Sequence, residues 1–307
     1  MKLKMSNTRS AIKWSVLALG LFVIACSEKG QEEKENSESF TIESFENEEP
    51  INDATLLKEF EQKASAYYKE FGGLDADTYK KQLSSKKCDV TINAESSTPV
   101  NGFSFYKQFK KGVLMIGKMY KCGHCPEDHI STASAFIISE DGICATNYHV
   151  FKSYDPSKPN DYITFFVMDA EKNMYPVIEV LAASKHDDLA IFKIDTKGKR
   201  MPALSIGQEQ GVGEPINLIS HPDHRFYTYT QGHIDRKYIK PGSTKIRQSI
   251  SAEFAKGSSG APIMDNCGNV VGIVAGTQNI YYDQEGKVYQ STIKEIIPVS
   301  RLIELIK

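Results

Sequence analysis

Three short segments of the chain carry residue types that could work together as nucleophile, base and orienting acid. In Gly257-Ser258-Ser259-Gly260-Ala261-Pro262, small residues surround a serine. The backbone there can turn tightly enough for the amides of Gly257 and Ser259 to converge on a developing oxyanion while the Ser259 hydroxyl faces a substrate. Between Ser134 and Val150, an apolar run, the turn Glu140-Asp141-Gly142 and a second run ending Thr146-Asn147-Tyr148-His149-Val150 spell a hairpin that delivers the His149 imidazole at a strand end. Asp188 opens the apolar run Leu189 to Ile194. A carboxylate at the mouth of a buried strand can be held beside an imidazole, where it fixes the tautomer and stabilises the imidazolium. Taken singly, each segment has a plainer explanation: a Gly/Ser cluster is most often a loop, a lone histidine a packed structural ring, an acidic pair an exposed turn. In one chain the three describe acyl transfer through a covalent serine intermediate.

The elements that must hold these residues are strands. From about Gly102 onward, short runs of Val, Ile, Tyr, Phe and Thr alternate with turn signals such as Glu140-Asp141-Gly142, Pro241-Gly242 and Asp265-Asn266-Cys267-Gly268-Asn269, with no amphipathic helices between them. That pattern predicts an all-β sandwich or barrel. Upstream, Ala54 to Lys86 has helical spacing, with Leu56, Leu57, Phe60, Ala64 and Tyr67 near one face, a break at Gly72-Gly73, and a second short stretch around Tyr79 and Leu83. Such a stripe is a packing face and is assigned no chemistry. A short helix is expected from Val299 to Ile306.

The order His, Asp, Ser with these flanking motifs resembles the chymotrypsin clan, and in particular the protease domain of HtrA/DegP-like enzymes, from about Tyr106 to the C-terminus. The resemblance implies a serine endopeptidase acting on polypeptides, with His149, Asp188 and Ser259 as catalytic triad, Gly257 and Ser259 as oxyanion hole, and no metal or organic cofactor. It selects Ser259 over Ser258 and Asp188 over Asp187. It also implies two perpendicular β-barrels with the site in the cleft, the first ending near Arg200 and the second beginning near Pro202, opened by Leu218-Ile219-Ser220-His221-Pro222 and Thr230-Gln231-Gly232-His233-Ile234. Ala135 and Ala261 stand where the family usually has glycine, so Ala261 is expected to avoid positive φ. Ser258 occupies the place where trypsin-like zymogens use an aspartate, so no proteolytic activation is expected. Glu253 falls where trypsin-like enzymes have their pocket floor and would favour Arg or Lys. HtrA-like enzymes prefer aliphatic residues, in which case Glu253 faces solvent, and Val274-Ala275-Gly276-Thr277 would form the pocket wall either way. With the chain ending soon after the expected C-terminal helix, regulation through a following PDZ domain is not expected. The competing reading is a catalytically inactive trypsin-fold binding module on the cell envelope.

Of the 307 residues, 1–25 read as a lipoprotein signal peptide, 26–53 as an acidic disordered tether, 54–101 as the helical extension and 102–307 as the protease domain. Lys2, Lys4, Arg9 and Lys13 precede the apolar run Trp14 to Ala25, too short to span comfortably and ending Val23-Ile24-Ala25-Cys26, so Cys26 is expected to be acylated and to anchor the mature protein in the bacterial cell envelope, at the outer membrane or cell surface with the periplasm as the alternative. A net charge of -2 gives no reason to expect nucleic acid as a partner. Cys122-Gly123-His124-Cys125 leaves alternatives open: a loop-stabilising disulfide between Cys122 and Cys125, a metal site recruiting His129 or Cys88, or a redox pair. The redox pair is disfavoured because Pro126 follows where such motifs open a helix. His186, His221, His224 and His233 lack zinc-protease spacing and are expected to be surface or structural residues.

Overall fold

The computed structural model describes residues 49–152, 163–283 and 285–306; the leader, Cys26 and nearly all of the acidic tether lie outside them. Strands β1 (Val113–Lys121), β2 (Asp128–Ser139), β3 (Ile143–Thr146), β4 (Thr164–Met168), β5 (Met174–Ser184) and β6 (Leu189–Ile194) close into an antiparallel barrel in the order β1-β2-β3-β6-β5-β4. Strands β7 (Pro215–Ser220), β8 (Thr228–Ile239), β9 (Ile246–Ile250), β10 (Pro262–Met264), β11 (Val270–Tyr281) and β12 (Tyr289–Pro298) close a second, in the order β10-β11-β12-β9-β8-β7. This is the two-barrel, chymotrypsin-like all-β architecture expected from the motifs. Closure leaves neither barrel with an unpaired sheet edge. The second barrel is filled by Ile216, Leu218, Ile234, Ile250, Ala261, Ile263, Val271, Val274 and Ile296.

The first barrel is buried on both sides of β1. Leu114 and Ile116 point inward with Ala135, Ile137, Phe165, Val167 and Phe192, while Val113, Met115 and Met119 on the opposite face join a second cluster that contains Leu56, Phe60 and Ala64. A strand buried on both faces reads as an unbroken apolar run, as Val113 to Ile116 does. The cover is the helical extension: α1 (Asp53–Phe71) starts with the Asn52 side chain accepting the Thr55 amide and stops at Gly72, whose φ of 73° suits glycine. Gly117 makes the docking possible, because a Cβ there would come within 2.7 Å of Phe60 and of Ile130.

The next helix, α2 (Ala76–Gln82), inserts Tyr79 into the first barrel's cluster. The ring packs edge-on against Phe165 with centroids 5.2 Å apart, and its hydroxyl donates to the Val177 carbonyl at 2.8 Å. Desolvation raises the phenol's pKa well beyond its usual value, so it acts here as a neutral donor.

Two local expectations change. Residues after Gly102 open with a helix, α3 (Gly102–Phe109), because Phe105 and Phe109, four apart, bring their rings to 4.5 Å on one helical face. The C-terminal helix α5 (Val299–Ile303) ends before Ile306, which instead bridges to Cys88.

Candidate active site

β3 and β6 are neighbours, with Thr146 opposite Ala190, so the residues just beyond their ends meet. After β3 the chain passes through buried Asn147 into the short helix α4 (Tyr148–Lys152). His149 therefore sits in a helical turn and not at the strand end itself. Asp188, the last residue before β6, has a φ of 65°, a left-handed conformation that costs a non-glycine residue roughly 1–2 kcal/mol. The conformation turns its carboxylate onto His149 twice: the His149 amide donates to Oδ1 at 3.0 Å, and Nδ1 meets Oδ2 at 2.8 Å. Asn147 Nδ2 donates to the Asp188 carbonyl at 3.0 Å, closing the grip. With the Nδ1 proton committed to the carboxylate, Nε2 is left as the proton acceptor.

The neighbouring Asp187 holds this turn. It is 6% exposed and takes hydrogen bonds from Arg301 Nε at 3.1 Å and Ser184 Oγ at 2.9 Å, while Arg247 donates to its carbonyl. Burial opposes its ionisation, but the Arg301 guanidinium, Ser184 and His186 outweigh burial and hold its carboxyl below the usual range.

Ser259 lies in the loop between β9 and β10. Gly257 and Gly260 on either side have φ of 96° and 83°, so the small residues serve the tight turn that the sequence suggests. The loop is fastened to the first barrel by β2: the Ser134 amide donates to the Ser259 carbonyl at 2.9 Å and Ser134 Oγ to the Gly257 carbonyl at 2.9 Å. Thr146, three residues before His149, donates in turn to the Ser134 carbonyl. A Cβ on Gly260 would run into Thr146 Oγ1, so this loop lies directly against the segment that leads to His149. Within the loop, the amides of Ser258, Gly260 and Ala261 are bonded to Ala255, Val274 and Ser258 carbonyls. Among the described residues, no protein acceptor takes the amides of Gly257 and Ser259. Ala261 is buried and keeps a negative φ, as its Cβ demands. Ser258 is fully buried and donates to Ser220 Oγ at 3.0 Å.

Beneath the loop lies a support that no sequence motif announced. His221 is fully buried, its carbonyl lies where a Cβ on Gly257 would go, and its Nδ1 accepts the Tyr227 amide at 3.0 Å. The Asp223 amide bonds back to the Lys256 carbonyl. His221 is structural; the sequence signal that could have found it, a histidine closing an apolar strand before Pro222, is shared by many exposed histidines.

A cleft of about 360 Å³ opens beside His149 and Asp188, lined also by Ala275, Gly276 and Thr277 of the expected pocket wall. Ser259, Gly257 and Glu253 are not among its lining residues. Glu253 has a side chain 78% exposed and pairs with Lys294 at 2.9 Å, the solvent-facing alternative of the two expected for it. Five basic residues that sequence reading missed, Lys152, Lys185, Lys240, Lys245 and Arg247, also line the cleft. Cys122 and Cys125 lie at the far end of the β1–β2 hairpin as thiols with sulfurs 3.4 Å apart, so the structure holds no bond between them.

Residues 133–273 match the family model described as a trypsin-like peptidase domain, in keeping with the two closed barrels and with the pairing of His149 and Asp188. Several of the proteins the chain resembles are named as DegP-like or Do-like proteases. A probable periplasmic serine endoprotease, DegP-like, of Hahella chejuensis is 30% identical over 152 residues, which are 48% of this chain and 30% of the relative. Protease Do-like 5 of the Arabidopsis thaliana chloroplast is 23% identical over 184 residues, 57% of this chain and 56% of the relative. The chain thus spans between about a third and about half of the lengths of these two relatives. Among solved structures, the HtrA-type protease AlgW with a decapeptide superposes with a TM-score of 0.53 at 22% identity, covering 66% of each chain, a likeness of fold.

Proposed function

We propose that the protein is a serine endopeptidase that hydrolyses peptide bonds through an acyl-enzyme. The observation that carries this reading is the double grip of Asp188 on His149, through the amide at 3.0 Å and Nδ1 at 2.8 Å. Such a grip fixes the tautomer that a base at Nε2 needs. In the reaction, Ser259 Oγ attacks the substrate carbonyl carbon as His149 Nε2 takes its proton. The carbonyl oxygen becomes an oxyanion that accepts hydrogen bonds from the Gly257 and Ser259 amides, the two donors without a protein acceptor among the described residues. The imidazolium, stabilised by Asp188, gives its proton to the departing amine as the C–N bond breaks. Water, deprotonated by the same Nε2, then attacks the ester, and Ser259 leaves with the proton returned. The relatives' serine protease character and the ready-made turn conformation support the same chemistry, and the neutral Ser258 supports activity without prior cleavage. Export and anchoring through an acylated Cys26 rest on the leader's layout and on the periplasmic designation of the DegP-like relative.

The test is labelling with a fluorophosphonate, which phosphonylates an activated serine. The wild type should label and Ser259→Ala should not, while Asp188→Asn should fold and lose roughly 10⁴ in kcat. A folded wild type that labels no better than Ser259→Ala would leave the inactive binding module as the surviving reading.

A further inference from the structure

At the end of the first barrel remote from the nucleophile loop, the β1–β2 connection gathers three soft or borderline donors. Among the described residues, Cys122, Cys125 and His129 form the one group of three His, Cys, Asp or Glu side chains whose ligand atoms all lie within 4.8 Å of one another. The Cys122 and Cys125 sulfurs are 3.4 Å apart, and Cys125 Sγ is 3.0 Å from His129 Nε2. A tetrahedral zinc ion with Zn–S about 2.3 Å and Zn–N about 2.0 Å holds its ligand atoms roughly 3.5–3.8 Å apart, so these two pairs would open by about half an ångström or less, and the third pair, Cys122 with His129, lies within 4.8 Å.

The surrounding structure is arranged as a support for such an ion. Gly123, with a φ of 76°, bends the two-residue spacer so that both cysteines point to the same side, and the His124 amide donates to Cys122 Sγ at 3.4 Å. Amide-to-sulfur bonds of this kind stabilise a thiolate ligand. His129, at the start of β2, turns Nε2 to the sulfurs while Nδ1 lies 3.5 Å from Glu61 Oε1 of α1. A carboxylate behind the second nitrogen fixes the tautomer that leaves the other free to ligate. Glu61 is itself held by the Ile130 amide at 3.2 Å, and Asp128 beside it takes bonds from Ser65 and Lys121.

We propose that Cys122, Cys125 and His129 bind one zinc ion, with Glu61 as the positioning residue behind His129 and the fourth coordination position open to water. Two thiol protons leave to solvent as the two Zn–S bonds form, and no change of oxidation state is involved. The spacing of Cys-x-x-Cys with a histidine four residues on makes one chelate of a hairpin tip, and Glu61 couples that tip to α1. The inference is independent of the reaction assigned to Ser259, because none of the four residues lines the cleft.

The experiment uses the full chain, reduced with a non-chelating phosphine and freed of metal. Zn²⁺ is titrated in competition with a chromophoric chelator, and Co²⁺ replaces it as a spectroscopic probe. One equivalent of Zn²⁺ should bind, and the Co²⁺ form should show sulfur-to-cobalt charge transfer with visible bands of tetrahedral intensity. Cys122→Ser and His129→Ala should each weaken Zn²⁺ at least a hundredfold, Glu61→Gln about tenfold, and Cys267→Ser not at all. Thermal melts of the metal-free variants establish that each is folded, and zinc should raise the melting temperature of the wild type but not of Cys122→Ser. Absence of stoichiometric Zn²⁺ uptake, uptake unchanged in folded Cys122→Ser, uptake lost in Cys267→Ser, or uptake of Cu⁺ in place of Zn²⁺ would each overturn the assignment.

Discussion

Fully buried beneath the Ser259 loop, His221 accepts the Tyr227 amide at Nδ1 and so is a neutral ring with its proton on Nε2. Its ring packs edge-on against Tyr227, 4.7 Å between centroids, and burial lowers its pKa from about 6.5 to about 3. In the unfolded chain the same ring protonates at the ordinary value. The sign follows: stability from keeping His221 neutral is complete above about pH 6.5 and is lost progressively as pH falls towards about 3. His221→Asn keeps an acceptor for Tyr227 and removes the titration. The variant should be less stable than wild type at pH 7, by about 1–3 kcal/mol, yet lose less stability on acidification. Urea midpoints followed from pH 7 to 4 check this, and parallel curves for the two proteins would refute it. The pairing of His149 with Asp188 was legible because each sits in its own local pattern of apolar and turn residues. His221 was not, because what makes it matter is the carbonyl packed under Gly257, thirty-six residues later in the chain.

At the scale of elements, the strands were legible from runs and turns, and α1 from its stripe, but not what the stripe covers. The stripe of Leu56, Phe60 and Ala64 specifies an apolar partner without specifying which, and Val113 to Ile116 reads as a strand buried on both faces without naming its cover. Only the closed barrel, with Gly117 leaving a gap for Phe60, matches the two. The extension is accordingly packed against the first barrel. Asp53 Oδ1 also accepts the Phe226 amide, so the start of α1 is bonded to the segment that carries His221 and Tyr227. Phe60→Ala should therefore destabilise the whole domain by about 3–5 kcal/mol, the cost of emptying a fully buried aromatic site. Chemical denaturation measures it. A loss below about 1 kcal/mol, or separate transitions for helix and barrels, would mean that the extension is an appendage.

For the molecule as a whole, the charge of -2 conceals an uneven surface. The cleft beside His149 collects Lys152 from α4, Lys185 from the β5–β6 turn, and Lys240, Lys245 and Arg247 from the β8–β9 hairpin. Its two carboxylates are occupied: Asp188 by His149, and Glu295 by Lys240 at 2.9 Å and Arg247 at 3.5 Å. No window of sequence shows this, because the five residues come from segments as much as ninety-five positions apart and converge only when the two barrels close. A polypeptide segment placed in the cleft would meet this basic excess, and acidic side chains on it would gain attraction. Exposed pairings contribute about 0.2–1 kcal/mol each, so two or three amount to roughly a tenfold preference. The measurement compares kcat/KM for fluorogenic peptides that carry Glu or Lys at the second to fourth positions before the cut bond and are otherwise identical. The Glu peptide should lead about tenfold at low salt, and the ratio should shrink towards unity near 1 M, where the screening length falls to about 3 Å. Lys185→Glu should reduce the ratio without changing Ser259 labelling, because Lys185 makes no contact with the catalytic loop's hydrogen bonds. Equal rates for the two peptides at low salt, or a preference that salt leaves untouched, would show that the cleft charges do not select substrate.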